Sequence, residues 1–320
     1  MICRKITILL SAIFILTANC RGRSAVVPES SVSGRRSFDF IRLMALNGAR
    51  ARRIGKAHDF ISPRFRCRVS RNARRCEING IKVDLNFPVA YIGNTPYVTG
   101  FDWHKSFRPL LYPATLKKHP ISTITIDMGH GGSDPGAIGA FSREKNITLK
   151  VGRRLGEILK SYGFRVRFTR NSDIKLPLER VAAIQRSHKS DLFVSLHVNS
   201  AKDRSVYGIE TFCLTPLHAP SSGAKVVQRD NKRGNWFDEN NLALAYSVQR
   251  QLLRRTGAPD RGVKRANFVV LRDLNVPGIL VEMGFISNPA EERRLNNSGY
   301  IDALAKGIAD GIIQYRRSMK

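Results

Sequence analysis

Between residues 122 and 316 the apolar positions alternate between two textures. Short apolar-rich runs occur at 123–127 (TITID), 165–169 (RVRFT), 191–197 (DLFVSLH), 208–214 (GIETFCL), 267–272 (NFVVLR) and 278–284 (GILVEMG), as expected of buried strands. Between them, apolar residues recur every three or four positions over 145–162, 177–189, 239–256 and 300–315. In the first of these stretches Leu149, Leu155, Ile158 and Leu159 form one stripe, and Gly163 marks its end. Strands alternating with amphipathic helices predict an α/β domain over 121–320: a single mostly parallel sheet with helices on both faces. No internal repeat is visible.

Upstream the texture differs. Ile41, Leu43, Met44 and Leu46 open a compact region, and FRCRV, CEINGIKVDLNFP and AYIGNTPYVTG then alternate like short strands. Asn79-Gly80 is a hairpin turn signal, and FDWHKSFRPLL reads as helical. Residues 37–120 are therefore expected to form a small basic α+β accessory domain, whose arrangement resembles small envelope-enzyme domains related to the N-terminal module of copper amine oxidases. Residues 21–36 are small, polar and basic, and read as a tether.

Arg4 and Lys5 precede an apolar run at 6–16 and the small or polar residues Thr17, Ala18, Asn19 and Cys20, the order of a secretory signal over 1–20. The run is short for a membrane span, which needs about 20 residues. Leu16 to Cys20 resembles a lipobox, with Asn19 and Thr17 departing from its usual residues, so lipidation at Cys20, cleavage after Ala18 and retention as an anchor all stay open. The expected location is the periplasm or cell envelope. In that oxidising compartment a hairpin could bring Cys67 and Cys76 to disulfide distance, while Cys213 reads as an inert core thiol.

Charge narrows the partners. Lys+Arg 54 against Asp+Glu 25 gives a formal net charge of +29, and residues 35–120 carry a large share of it. Such a balance attracts polyanions. For an exported chain these are an anionic envelope polymer or lipid, met through the basic N-terminal region, rather than nucleic acid.

In open α/β sheets ligands gather beyond the carboxyl ends of the strands. There the chain places Asp127-Met128-Gly129-His130-Gly131-Gly132-Ser133-Asp134-Pro135-Gly136, then Ser195-Leu196-His197-Val198-Asn199, then Val281-Glu282-Met283-Gly284, with Glu144 opening the first long helix. The Gly-rich loop lacks both G-x-G-x-x-G and the Walker lysine, which leaves nucleotide binding little support. Glu282 ends a strand apolar enough to be buried, where a carboxylate must be paired, protonated or metal-bound. Two imidazoles and a carboxylate, with a second carboxylate beside them, are what a catalytic zinc site requires: three ligands, an open position and a base.

These segments, with REKN, GIETF, DRGVKRANFVVLR and PGILVEMGFISNPAEERRL, resemble in order the zinc-dependent N-acetylmuramoyl-L-alanine amidase family, over about residues 122–316. The resemblance implies cleavage of peptidoglycan between N-acetylmuramic acid and the L-alanine of the stem peptide. It implies Zn2+ as cofactor with His130, Glu144 and His197 as its ligands, and Glu282 as the catalytic carboxylate. Met128 stands where the family commonly has Pro, a difference that touches loop stiffness and no ligand. Asn199, Arg261 and Lys264 are candidate contacts for the anionic stem.

Some members of that family carry a helix that plugs the metal until a partner removes it, which raises an activator protein as a partner. Here Pro216, Pro220, Gly223 and Gly234 break any long helix over 215–238, so a mobile loop is expected instead. Two other classes compete. A penicillin-sensitive serine carboxypeptidase uses an S-x-x-K pair, and three occur, Ser142/Lys145, Ser172/Lys175 and Ser222/Lys225, of which Ser222 is the best placed, but S-D-N and K-T-G are absent. A non-catalytic envelope-binding module is disfavoured by the presence of every expected ligand and of the base.

Overall fold

The structure, a computed structural model, describes residues 29–319. The secretory signal and Cys20 lie outside the described residues. Among the described residues no helix is long and apolar enough to cross a membrane. The chain divides into two compact units, one holding residues up to Gly80 together with Leu85–Leu111, the other Ile81–Asp84 together with Tyr112–Lys320.

The first unit is antiparallel. It contains β1 (Glu29–Val32), β2 (Arg35–Asp39), the short helix α1 (Phe40–Leu46), β3 (Arg50–Ile54), β4 (Ala57–Ile61), β5 (Arg66–Ser70) and β6 (Arg75–Ile78). β7 (Ile81–Asp84) belongs to the second unit; β8 (Ala90–Ile92) and β9 (Thr95–Thr99) return to the first. A helical stretch closes it, α2 (Gly100–Asp102) and α3 (Arg108–Leu111) joined by a π turn at Trp103–Phe107. The strand orders are β1-β2-β9-β8 and β6-β5-β4-β3. Phe40 sits at the centre of the core, its ring centroid 4.7 Å from that of Phe60 and 4.8 Å from that of Phe107.

Two expectations change here. The tether expected over 21–36 contains a hairpin from Glu29 onward. Few of its residues are apolar, but β1 is held by full pairing with β2, and Ser33-Gly34 supply the turn with φ of 53° and 71°. Cys67 and Cys76 are both buried and are not bonded to each other. The register pairs Cys67 with Ile78 and Val69 with Cys76, so the two cysteines share a face but lie diagonally, roughly 7–8 Å apart in such ladders and beyond the usual disulfide span. Burial raises the Cys67 thiol far above its ordinary range. Asn79-Gly80 forms the expected turn, with φ of 48° and 80°.

The second unit is α/β. Its strands are β10 (Thr123–Met128), β11 (Arg165–Phe168), β12 (Leu192–Asn199), β13 (Ile209–Leu214), β14 (Asp260–Ala266) and β15 (Gly278–Phe285), in the order β11-β10-β12-β15-β13-β14-β7. Every recorded pairing is parallel except β13 with β15. The helices are α4 (Glu144–Ser161), α5 (Leu178–Ser187), α6 (Asp238–Thr256), α7 (Val269–Arg272), α8 (Pro289–Leu295) and α9 (Ser298–Ser318). α9 packs against both α4 and α6, while α5 and α7 close a separate core of Val181, Ala182, Phe193, Leu214, Val270, Leu271, Leu274 and Leu280.

The strand expected at 267–272 is a correction. The strand is β14, upstream, where Val263 and Arg265 are buried; VVLR instead forms α7, turning Val270 and Leu271 into the core beside Leu274. A β-branched run says that residues are buried, not which backbone buries them.

Candidate metal centre

The site grows from strand ends. β10, β12 and β15 lie side by side, with Asp127 opposite Ser195, and His197 opposite Glu282. β13 runs antiparallel on the far side of β15 and places Glu210 opposite Glu282. Glu282 thus stands between an imidazole and a second carboxylate.

After β10 the chain must turn sharply beneath His197. A Cβ on Gly129 would lie 2.4 Å from the His197 ring, so only glycine leaves room for that imidazole. Gly136 has φ of +65°, and a Cβ there would meet Glu144 Oε2 at 2.5 Å. Gly129 and Gly136 thus admit side chains, while Gly131 and Gly132 lie against the backbone of Ile174 and Lys175. His130 itself sits at φ of 64°, a conformation costly for a residue with a Cβ, and the surrounding loop over-determines it. Arg170, immediately after β11 and 2% exposed, donates to the carbonyls of Met128 (2.7 Å) and Gly129 (3.1 Å). Thr148 donates to the same Gly129 carbonyl at 2.9 Å.

These constraints bring His130, Glu144 and His197 together, with one potential ligand atom from each lying within 4.8 Å of the others. Glu144 Oε2 is 3.2 Å from His130 Nε2 and accepts from the Ala137 N–H at 2.8 Å. Its Oε1 is 3.0 Å from His197 Nδ1 and accepts from the Val198 N–H at 2.9 Å. His130 Nδ1 faces Asp134 Oδ2 at 2.9 Å, a contact that fixes the orientation of the ring.

The electrostatics follow from this crowding. Burial opposes charge on Glu144, but hydrogen bonds from both imidazoles outweigh it and hold the carboxyl far below its usual range. His130 is pushed up to about 9, chiefly by its hydrogen bond to Glu144. For His197, burial works against the proton, and Glu144 with the charges of Glu282 and Asp127 more than compensates. Glu282 is pushed up to about 7, by burial first and then, against the pull of His197, by the charges of Glu144 and Glu210. Its Oε2 is buried with no hydrogen-bond partner.

The other expected contacts fall differently. Asn199 ends β12, where its Oδ1 accepts from the Ser200 N–H at 2.7 Å. Arg261 Nε (2.6 Å) and Lys264 Nζ (2.8 Å) both donate to one oxygen of Glu210, and Arg261 also covers the Phe285 ring at 4.8 Å. GIETF was legible as a strand, but the role of Glu210 was not; its signal was a charge in the middle of an apolar run.

Two of the S-x-x-K pairs are engaged elsewhere. Ser222 Oγ accepts from the Arg265 N–H at 3.0 Å, and Lys225 is exposed. Ser142 donates to Glu292, while Lys145 donates to the Gly132 carbonyl and to Asp173. Around 215–232 no helix forms. The expected loose loop is stitched down instead, by Ser222 N–H to the Arg265 carbonyl, by Gln228 N–H to the Ala219 carbonyl and by a bridge between Pro220 and Val227. Glu292, also missed, is buried on α8 and accepts from the N–H groups of Ala140, Phe141 and Ser142, each at 2.9 Å, clamping the loop that leads into Glu144.

A profile of N-acetylmuramoyl-L-alanine amidases matches residues 124–314. The N-acetylmuramoyl-L-alanine amidase AmiA of Escherichia coli is 31% identical over 228 residues, covering 63% of this chain and 79% of that protein. The uncharacterized protein YqiI of Bacillus subtilis is 34% identical, over 64% of this chain and 91% of its own length. Among solved structures, an N-acetylmuramoyl-L-alanine amidase from Clostridium difficile superimposes with a TM-score of 0.52 at 30% identity, over 62% of this chain and 97% of that one.

Proposed function

The chain belongs to the N-acetylmuramoyl-L-alanine amidase family, and from that membership we propose a zinc-dependent hydrolase in which His130, Glu144 and His197 hold the metal and Glu282 is the base. The reaction is hydrolysis of the amide between the lactyl group of N-acetylmuramic acid and the L-alanine of the peptidoglycan stem.

The residues suit zinc. Two imidazoles and one carboxylate form a donor set that leaves a fourth position open, and the Asp134 carboxylate behind His130 completes the pattern. The observation that carries the reading is the orphaned Glu282 Oε2, a buried carboxylate oxygen beside the ligand group with no hydrogen-bond partner among the described residues. Zinc bound there supplies polarisation of the scissile carbonyl and a water of pKa about 7.

Glu282 then acts by position. Its Oε2 takes a proton from the attacking water as the water oxygen bonds to the lactyl carbon, and passes it to the departing L-alanine nitrogen as the C–N bond breaks. Burial keeps bulk water from competing for that proton. Arg261 and Lys264 share the single charge of Glu210, which leaves a net positive group near Glu282 and supports contact with the anionic stem; Asn199 would offer its amide nitrogen. The secretory signal read at 1–20 supports action in the envelope, where this substrate lies. The CwlD amidase of Clostridioides difficile was solved in complex with the GerS lipoprotein, which supports an activator protein here too.

The test is metal analysis coupled to product analysis. Purified protein is expected to carry about one zinc per chain, to stop releasing stem peptide from muropeptides after chelation, and to recover when zinc is returned. Full turnover in verified metal-free protein would sink the mechanism.

A further inference from the structure

The strands β4 to β6 of the first unit bury one face, the edge strand β3 is exposed along its whole length, and the pairing decides which side chain goes where. Phe60, Cys67, Val69, Cys76 and Ile78 are buried. The opposite parity aligns Arg52, Asp59, Arg68 and Glu77 in one cross-strand row, Arg50, Ile61 and Arg66 in the next, and Ile54, Ala57 and Ser70 in a third. Asp59 is taken by Arg68 through two hydrogen bonds of 2.6 and 2.8 Å. Arg50, Arg52 and Arg66 are exposed and make no ion pair among the described residues.

Sheet geometry sets their spacing. Residues two apart on a strand lie about 7 Å from each other and alternate strands about 10 Å apart, so Arg50, Arg52, Arg66 and Arg68 mark the corners of a rough rectangle. A rigid backbone thus holds four like charges together; Asp59 and Glu77 in the same row offset part of them, chiefly at Arg68, and an external anion relieves the excess. Guanidinium forks fit phosphate oxygens in pairs.

Two features choose among phosphate-bearing partners. Ile54 and Ile61 stand among the arginines on the same face, 43% and 38% exposed, where a water-soluble polyanion would give them nothing to bury against. No aromatic ring stands in these three rows to stack on a sugar or base. Cations interleaved with apolar side chains suit a membrane interface. We propose that this face docks on a bilayer of anionic phospholipid, its guanidinium groups on headgroup phosphates and Ile54 and Ile61 entering the headgroup layer.

The experiment is sedimentation of the full chain with phosphatidylcholine vesicles, with and without roughly one third phosphatidylglycerol. Binding to the anionic vesicles should fall about 100-fold in R50Q/R52Q/R66Q, while binding to neutral vesicles stays as it was. I61S should lower anionic binding by a smaller factor that persists at high salt, since it removes apolar surface and leaves the charge unchanged. Circular dichroism melts check that both variants fold, and stem-peptide release from soluble muropeptides should be unchanged in both. Equal binding of neutral and anionic vesicles, or a triple variant that binds like the parent, would overturn the proposal. So would tighter binding to soluble poly(glycerol phosphate) with the same arginine dependence, which would assign the face to an anionic polymer.

Discussion

Glu144 and Glu210 are built alike and cannot do the same thing. Each is a buried carboxylate reached by two nitrogen bases: His130 at 3.2 Å and His197 at 3.0 Å for Glu144, Arg261 at 2.6 Å and Lys264 at 2.8 Å for Glu210. Glu282 lies between them, opposite His197 on one side and Glu210 on the other. The difference is in the bases. An imidazole can give up its proton and offer a lone pair; a guanidinium cannot, and an ammonium does so only when strongly desolvated. The first cluster is therefore open to exchange its protons for a metal, while the second is a fixed charge pattern. What a buried carboxylate can do is decided by the proton chemistry of its neighbours.

The largest effect that would sharpen this contrast is expected between the two clusters. Glu282→Gln keeps the size and removes the base, so turnover should fall ~10²–10⁴-fold with zinc content unchanged, read by muropeptide mass spectrometry alongside metal analysis. Near-parental turnover would reduce Glu282 to a structural role. Glu210→Ala leaves two cations without their shared carboxylate; since both are partly exposed, the cost should be about 2 kcal/mol, below that of breaking a fully buried pair. A lower urea midpoint with zinc retained is the expected reading, and loss of zinc would show that the two clusters are not separate. Asp134→Ala removes the partner of His130 Nδ1, and zinc affinity should drop ~10-fold in a competition titration. An unchanged affinity would mean that the loop alone orients the ring. Smallest is Arg261→Gln at a half-exposed position, expected to raise KM a few-fold with kcat kept; a fall in kcat alone would tie Arg261 to the chemistry instead of to the stem.

Much of the candidate site was legible because its residues violate their surroundings. His197 and Glu282 are polar exceptions at the ends of apolar strands, His130 interrupts a glycine loop, and Glu144 opens a helix whose apolar stripe begins after it. Arg170, Glu210 and Glu292 obey the same logic and were passed over, because a charged residue near a strand end or on a helix is ordinary until its burial is known. Arg170 is 2%, Glu210 3% and Glu292 1% exposed, and each depends on partners far away in the chain: Met128 and Gly129 for Arg170, Arg261 and Lys264 for Glu210, and the backbone of 140–142 for Glu292. The VVLR run failed in the other direction: its hydrophobicity was read correctly and its backbone was not, since burial of Val270 and Leu271 against α5 can be achieved by a helical turn as well as by a strand.

The sequence by itself determined the α/β alternation of residues 122–316, the antiparallel character of the region before it, and the four residues at the strand ends on which the proposed chemistry rests. Those features are written in short-range periods and in local exceptions to them, which a linear reading can see. The tertiary structure alone decided that β13 runs against β15, that Cys67 and Cys76 lie diagonally, and that Arg261 and Lys264 meet Glu210. Each depends on the register between segments brought together by folding, and a one-residue slip in register would turn every one of those side chains to the opposite face.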